Sequence, residues 1–94
     1  MPCCFKFERF TVYFWSNEGF EPIHVHVSEG SPTPHATKFW LTRDGGAELA
    51  HNGSGYTDKE LKKLCRVIIA NHSLIVDRWT ERFGIPSYRH GLKH

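Results

Sequence analysis

The feature that most constrains the fold is a change in hydrophobic period about halfway along the chain. Beyond residue 57, apolar or semi-apolar side chains recur every three or four residues, as on one face of a helix. They are Leu61, Leu64, Cys65, Ile68, His72, Ile75, Val76, Trp79 and Phe83. Thr57 and Glu60 have the spacing of a capping box, which places the start of this helix. Gly84 and Pro86 place its end.

Before residue 57 the pattern is that of strands and turns. Runs rich in β-branched and aromatic residues, or with alternating side chains, predict strands. The predicted strands are 10–15, 22–28, 36–42 and 46–50. The sequence therefore predicts an α+β fold: a small antiparallel sheet of three to four strands, followed by one long C-terminal helix packed on one face. Asn71-His72-Ser73 marks a kink or short break in that helix.

Length and composition predict one cytoplasmic domain. The chain has 94 residues, of which 39% are hydrophobic, so we expect a single domain over 1–94 with terminal extensions at 1–8 and 85–94. No apolar run approaches the ~20 residues that span a bilayer, and the N-terminus lacks the pattern of a signal peptide. Three cysteines make no paired disulfide framework, which agrees with a reducing compartment.

The stretch Pro22-Ile23-His24-Val25-His26-Val27 carries the main candidates for chemistry. Because side chains alternate along a strand, His24 and His26 should share one face of the sheet, with the apolar residues on the other. Two adjacent imidazoles can ligate a metal or act as a general acid and a general base. They can also simply lie on the solvent-exposed face of a sheet.

A metal site needs a third ligand, because zinc takes three or four from the protein. His35, His51 and His72 are the candidates, and His35 is best placed because antiparallel neighbours bring cross-strand pairs to roughly 5 Å. If zinc or another divalent metal binds, the ligands that we expect are therefore His24, His26 and His35. Glu18 and Glu21 flank the preceding turn, and they either orient an imidazole or keep the loop soluble.

Catalysis without a metal is the rival interpretation. Histidine titrates near neutrality, so His24 and His26 could serve as general base and acid of a small nuclease. Arg43 is the candidate cation for the phosphate, with Lys38 and Arg78 as alternatives. This interpretation leaves open whether the protein is an enzyme.

Binding candidates come from aromatic and basic residues. Phe39 and Trp40 alternate, so one of the two rings should face solvent and be available to a partner. The end of the chain is basic, with Glu81 as its one acid, and this segment either contacts phosphates or is simply solvated. Its basic residues are Arg78, Arg82, Arg89, His90, Lys93 and His94. Trp40, Arg78 and Arg82 are the binding residues that we expect.

The same features together resemble a known family. An aromatic first strand, an acidic turn, a Pro-x-His-x-His strand and a capped helix are similar to the small bacterial proteins grouped as domain-of-unknown-function family 4160. The resemblance covers roughly residues 5 to 83. Its matching residues are Phe10–Phe14, Asn17-Glu18, Pro22–Val27, Leu61, Leu64 and Asn71–Trp79. Ile23 replaces the second proline of the family's usual Pro-Pro-His-x-His pattern.

The resemblance implies little chemistry, because the family's function is unknown. Its members are typically cytoplasmic and are often encoded beside another small protein, as in toxin–antitoxin or regulatory pairs. This implies a module that binds a partner protein, itself or nucleic acid, and involves no membrane. A histidine-dependent nuclease and a metal-binding protein are the alternatives, and only His24 and His26 carry over as family positions.

Overall fold

A computed structural model describes residues 3–89 as a five-stranded sheet with two helices. The elements are β1 (Cys3–Phe7), β2 (Phe10–Tyr13), β3 (His24–Glu29), β4 (Thr37–Leu41), β5 (Ala47–Asn52), α1 (Asp58–Ala70) and α2 (His72–Phe83). Every strand pairs antiparallel with its neighbour in sequence, in the order β1-β2-β3-β4-β5. The predicted α+β class with an antiparallel sheet is confirmed.

The prediction of three to four strands is wrong, because β1 adds a fifth. This strand lies in the segment that the sequence indicates as a terminal extension. A two-residue turn joins it to β2, and Glu8 in that turn has a φ of 53°. Glycine, asparagine or aspartate usually marks such a conformation, so a glutamate gave no turn signal. Lys63 Nζ lies 2.6 Å from Glu8 Oε1 and ties the turn to α1.

The prediction of one long helix is also wrong, because the chain forms two helices, whereas the break predicted within Asn71-His72-Ser73 is present at Asn71. The Asn71 side-chain amide donates to the Val67 carbonyl at 2.9 Å and closes the end of α1. A continuous helix over 58–83 would be about 40 Å long, whereas the longest extent of the molecule is 32 Å. Neither described helix is long and apolar enough to cross a membrane.

One face of the sheet and both helices enclose the apolar core. The sheet contributes alternate residues of its central strands, and the helices contribute the apolar stripe that the sequence predicts. The principal members are Phe10, Val12, Val25, Val27, Phe39, Leu41, Leu64, Ile68, Ile75 and Trp79, all at most 1% exposed. α1 packs against β5 and α2 against β1, so the break lets the two helices reach opposite edges of the sheet.

Loops cover much of the other face of the sheet, and most of its side chains are polar. Tyr13, at 0% exposed, contacts Thr33 through its hydroxyl, which lies 3.2 Å from both the Thr33 amide and carbonyl. Thr11 Oγ1 donates to the Gly30 carbonyl at 2.7 Å, and Ser28 Oγ donates to the Ser31 carbonyl at 3.0 Å. Buried polar groups need such partners. His24 and His26 therefore project into a partly enclosed polar layer.

The capping box predicted at the start of α1 is present and gives a stability test. Glu60 N–H donates to Thr57 Oγ1 at 3.2 Å, and Thr57 N–H donates to Glu60 Oε1 at 3.0 Å. Thr57→Ala removes the hydroxyl that accepts from the Glu60 N–H. We therefore expect it to lower the free energy of unfolding by about 1 kcal/mol in urea denaturation. Thr80→Ala makes the same change at an exposed position of α2, where we expect less than about 0.5 kcal/mol. Equal losses in both variants would contradict a role for the cap.

Candidate metal centre

The register of the sheet brings the two histidines of β3 together. His24 lies opposite Trp40, and His26 lies opposite Lys38 in β4 and Tyr13 in β2. The two imidazole ring centres are 5.0 Å apart, with the rings nearly perpendicular. His24 is completely buried, whereas 13% of the His26 side chain is exposed.

Glu18 places its carboxylate between the two imidazoles. Glu18 Oε1 lies 2.9 Å from His24 Nε2, and Glu18 Oε2 lies 3.0 Å from His26 Nε2. The backbone N–H of Trp15 donates to Oε1 at 2.9 Å. The carboxylate is thus surrounded by three nitrogen groups, and only 15% of its side chain is exposed.

The environment of Glu18 keeps it ionised. Burial by itself would raise the pKa of this carboxyl. Hydrogen bonds from His24, His26 and the Trp15 amide outweigh burial and hold the pKa of Glu18 well below its usual range. Glu18 is therefore an anion at neutral pH.

The second ring nitrogen of His24 has a fixed role. Its Nδ1 lies 2.9 Å from the Pro22 carbonyl oxygen. A carbonyl oxygen only accepts hydrogen bonds, so Nδ1 carries the proton and donates it. Nε2 is left to donate a proton to Glu18 or to offer its lone pair to a metal. Metal-ligating histidines are commonly oriented by such a contact between the other ring N–H and a backbone carbonyl.

The three side chains bring together donor atoms of the kind that ligate divalent cations. Their ligand atoms all lie within 4.8 Å of one another. Tetrahedral zinc, with bonds of about 2.0–2.2 Å, separates its ligand atoms by roughly 3.4 Å. The distances of 2.9 and 3.0 Å from the carboxylate to the imidazoles would need to widen by only a few tenths of an ångström. Imidazole and carboxylate together suit zinc and similar divalent ions.

The last turn of α2 positions the loop that carries Glu18. A Cβ atom on Gly19 would overlap the ring of Phe83, so this position favours glycine. Arg82 Nη2 donates to the Ser16 carbonyl at 3.3 Å. Phe83 is itself fixed by Trp79, whose ring centre is 4.7 Å away. The position of the carboxylate therefore depends on where α2 ends.

A cation and two tryptophans lie beside the three ligand side chains. The His24 ring packs between Trp40 and Trp79, with ring centres 5.8 and 5.3 Å away. Lys38 Nζ lies 3.0 Å from Glu21 Oε1 and 4.3 Å from the centre of the Trp40 ring. Of the two acids singled out in the sequence, Glu18 bonds the histidines and Glu21 bonds this lysine.

The structure leaves the other histidine candidates outside this group. His35 is exposed and precedes β4, where the register puts Lys38, three residues further along, opposite His26. His51 is exposed on β5, and His72 Nε2 lies 2.8 Å from the Thr42 carbonyl oxygen. Among the described residues, the third potential ligand is Glu18 and not His35.

The predicted cationic and binding residues lie at different places. Arg43 is exposed in the β4–β5 turn, and its guanidinium lies 4.8 Å from the Tyr88 ring. Trp40 is half-buried beside His24. Arg78 and Arg82 are exposed on α2, and Arg82 reaches the turn that carries Glu18. Of the rest of the predicted basic tail, Arg89 is exposed, and His90, Lys93 and His94 lie outside the described residues.

Comparison with known proteins relates this chain to one protein family. A protein-family model described as a domain of unknown function, DUF4160, matches residues 9–80. The matched range includes Glu18, His24, His26 and most of both helices. No curated protein and no solved structure matches the chain.

The ionised state of Glu18 predicts how a substitution changes acid stability. Folding lowers the pKa of Glu18, so the ionised carboxylate stabilises the folded protein at pH values above the pKa that Glu18 has in the unfolded chain. This stabilisation is lost progressively as the pH falls below that unfolded-state pKa. Glu18→Gln should lower the free energy of unfolding at pH 7 by about 1–3 kcal/mol. From about pH 5 downward, the stability of this variant should fall less steeply than that of the wild type. Glu81→Gln, at an exposed position of α2, is the control, and parallel pH curves for Glu18→Gln and wild type would contradict the prediction.

The contact between Gly19 and Phe83 predicts an energetic coupling. Gly19→Ala should destabilise the protein by about 1–3 kcal/mol, because the new methyl group overlaps the Phe83 ring. In a Phe83→Ala background the overlap is gone, so the cost of Gly19→Ala should be much smaller. A double-mutant cycle in urea measures this coupling, and additive effects would show that the two residues act independently.

Proposed function

The chain belongs to the DUF4160 family, and we propose from its own site that it binds one divalent metal ion, zinc by preference, through Glu18, His24 and His26. The observation that carries the proposal is a single half-buried carboxylate between two imidazole Nε2 atoms. The orientation of His24 by the Pro22 carbonyl supports it, because Nδ1 then carries the proton and Nε2 is available as a ligand.

The burial of His24 favours a metal over a simple ion pair. Without a metal, both ring nitrogens of His24 face oxygen atoms, the Pro22 carbonyl and the Glu18 carboxylate, at a position with no exposure to water. Removing charges from water costs several kcal/mol per ion, even when the charges are paired. With a metal, the His24 ring stays neutral and Glu18 remains a bound anion.

Among the described residues the group has three potential ligands, and this number favours a reactive centre over a structural one. Structural zinc sites usually have four protein ligands, whereas catalytic sites have three, among them the set of two histidines and one glutamate, and keep a position for water or substrate. His26 and Glu18 are the partly exposed members, so that position would face solvent on their side. A zinc ion held by Glu18, His24 and His26 would lower the pKa of bound water to about 7 and would supply a hydroxide nucleophile for hydrolysis.

The broader expectations from the sequence stay predictions. A partner protein, self-association, a toxin–antitoxin-like pairing and a cytoplasmic location each need their own experiment. The metal-free nuclease would use the same two histidines, so a metal titration separates it from the present proposal.

Titration of untagged protein with zinc tests the proposal. Isothermal titration calorimetry should give one equivalent of zinc for the wild type, and zinc should raise the melting temperature, because a ligand that binds only the folded state stabilises it. Glu18→Gln and His26→Ala should each weaken zinc binding at least tenfold, because each removes a ligand. Cobalt in place of zinc should give the strong visible absorption of a tetrahedral site.

Exposed histidines provide the matched control. His35→Ala and His51→Ala remove an imidazole outside the group, so zinc affinity and stoichiometry should stay at the wild-type values. Circular dichroism should show that all four variants keep the fold. A wild type that neither binds zinc nor gains thermal stability would refute the metal proposal, as would a loss of affinity in the controls equal to that in His26→Ala.

A further inference from the structure

The turn that carries Glu18 also presents an exposed aromatic ring. Glu21 N–H donates to the Glu18 carbonyl at 3.1 Å, so Gly19 and Phe20 occupy the two middle positions of a tight turn. The residues on either side of this pair are fixed, because Glu18 bonds the histidines and Glu21 bonds Lys38. Phe20 is 85% exposed. A flat apolar surface is thus held within two residues of a proposed metal ligand.

Positive charge lies beside the same group. Lys38 is the direct cross-strand neighbour of His26, and 17% of its side chain is exposed. Its ammonium lies 4.3 Å from the centre of the Trp40 ring, and the Arg89 guanidinium lies 5.3 Å from the same centre. The Trp40 ring also packs against His24, so the two cations lie on a ring that contacts one of the proposed metal ligands. Lys38 already pairs with Glu21, and an anionic group at the open coordination position would share that ammonium.

We propose that the ligand of this centre is a nucleotide unit, with its phosphate at the metal and Lys38 and its base stacked on Phe20. The inference rests on the proposed metal function. A metal with an open position and a neighbouring ammonium binds phosphate oxygens. An exposed ring offers a face on which any unstacked base can lie. A nucleotide would contact both Lys38 and Phe20, whereas inorganic phosphate has no ring that could stack on Phe20.

Two sources can supply this unit, a free nucleotide and an unpaired nucleic-acid strand. A duplex is disfavoured, because its bases are already stacked on one another and cannot lie against Phe20. Both sources share the chemistry of a phosphate ester joined to a flat ring. Adenosine 5′-monophosphate and a ten-nucleotide single-stranded RNA separate them by affinity.

The test measures binding to the zinc-loaded full chain. Calorimetry is run with adenosine 5′-monophosphate, ribose 5-phosphate, inorganic phosphate and the RNA, and the absorption spectrum of the cobalt form reports whether phosphate reaches the metal. Lys38→Gln should weaken all phosphate-containing probes about tenfold. Phe20→Ala should weaken adenosine 5′-monophosphate about fivefold or more and leave ribose 5-phosphate and inorganic phosphate unchanged.

Matched variants control for general effects of charge and surface. Lys62→Gln removes an exposed lysine of α1, and Ile85→Ala removes an apolar side chain that is 95% exposed. Both should bind every probe as the wild type does. Zinc affinity should be unchanged in Lys38→Gln and Phe20→Ala, since neither residue is a ligand.

The outcomes distinguish this inference from the metal proposal. Absence of zinc binding overturns both. Normal zinc binding with no nucleotide binding, or with equal effects of Phe20→Ala on all probes, overturns the nucleotide inference alone. A Phe20→Ala variant that changes only self-association in sedimentation shows that the ring contacts protein, which also overturns the inference. Tighter binding of RNA than of the mononucleotide supports the strand as the source, and equal affinity supports the free nucleotide.

Discussion

A carboxylate that is largely removed from water must be surrounded by hydrogen-bond donors, because an unpaired buried charge is very costly. Glu18 meets this requirement with two imidazoles and one backbone amide. Its position depends on distant parts of the chain, since the end of α2 packs on Gly19 and binds the Ser16 carbonyl. The break at Asn71 in turn directs α2 toward the β1 side of the sheet while α1 reaches β5. The geometry of the site therefore depends on the packing of the two helices.

The sequence predicted the elements of the site whose geometry is local. Alternation along a strand placed His24 and His26 on one face, and the structure puts their ring centres 5.0 Å apart. The third potential ligand depends on strand register and loop path, which alternation does not determine. Proximity to a neighbouring strand favours His35 in the sequence, but the register puts Lys38 opposite His26. Glu18 was recognised only as a residue that could orient an imidazole, because its reach depends on the turn at 18–21 and its contact with α2.

The errors in the predicted fold have a similar origin. The apolar stripe continues across Asn71 because α1 and α2 bury side chains against the same face of the sheet. Periodicity thus reports which side chains are buried, but it does not report whether the helix is continuous. The missed strand β1 depends on Glu8, which adopts a positive φ without the residue type that normally signals it. The capping box and the terminal Gly84 were predicted correctly, because each depends only on residues within one turn.

The division of the sheet into two faces explains where chemistry can reside in so small a domain. The helix-covered face supplies the apolar burial that stabilises the fold, so polar groups there would reduce stability. The opposite face is covered by loops, whose backbone carbonyls and amides satisfy buried polar side chains such as Tyr13 and Thr11. His24 lies where these two layers meet, between Trp40 on the sheet and Trp79 on α2. His24 is therefore held in place by the core. His26 and Glu18 keep partial access to water, so an ion or a phosphate would have to enter from their side.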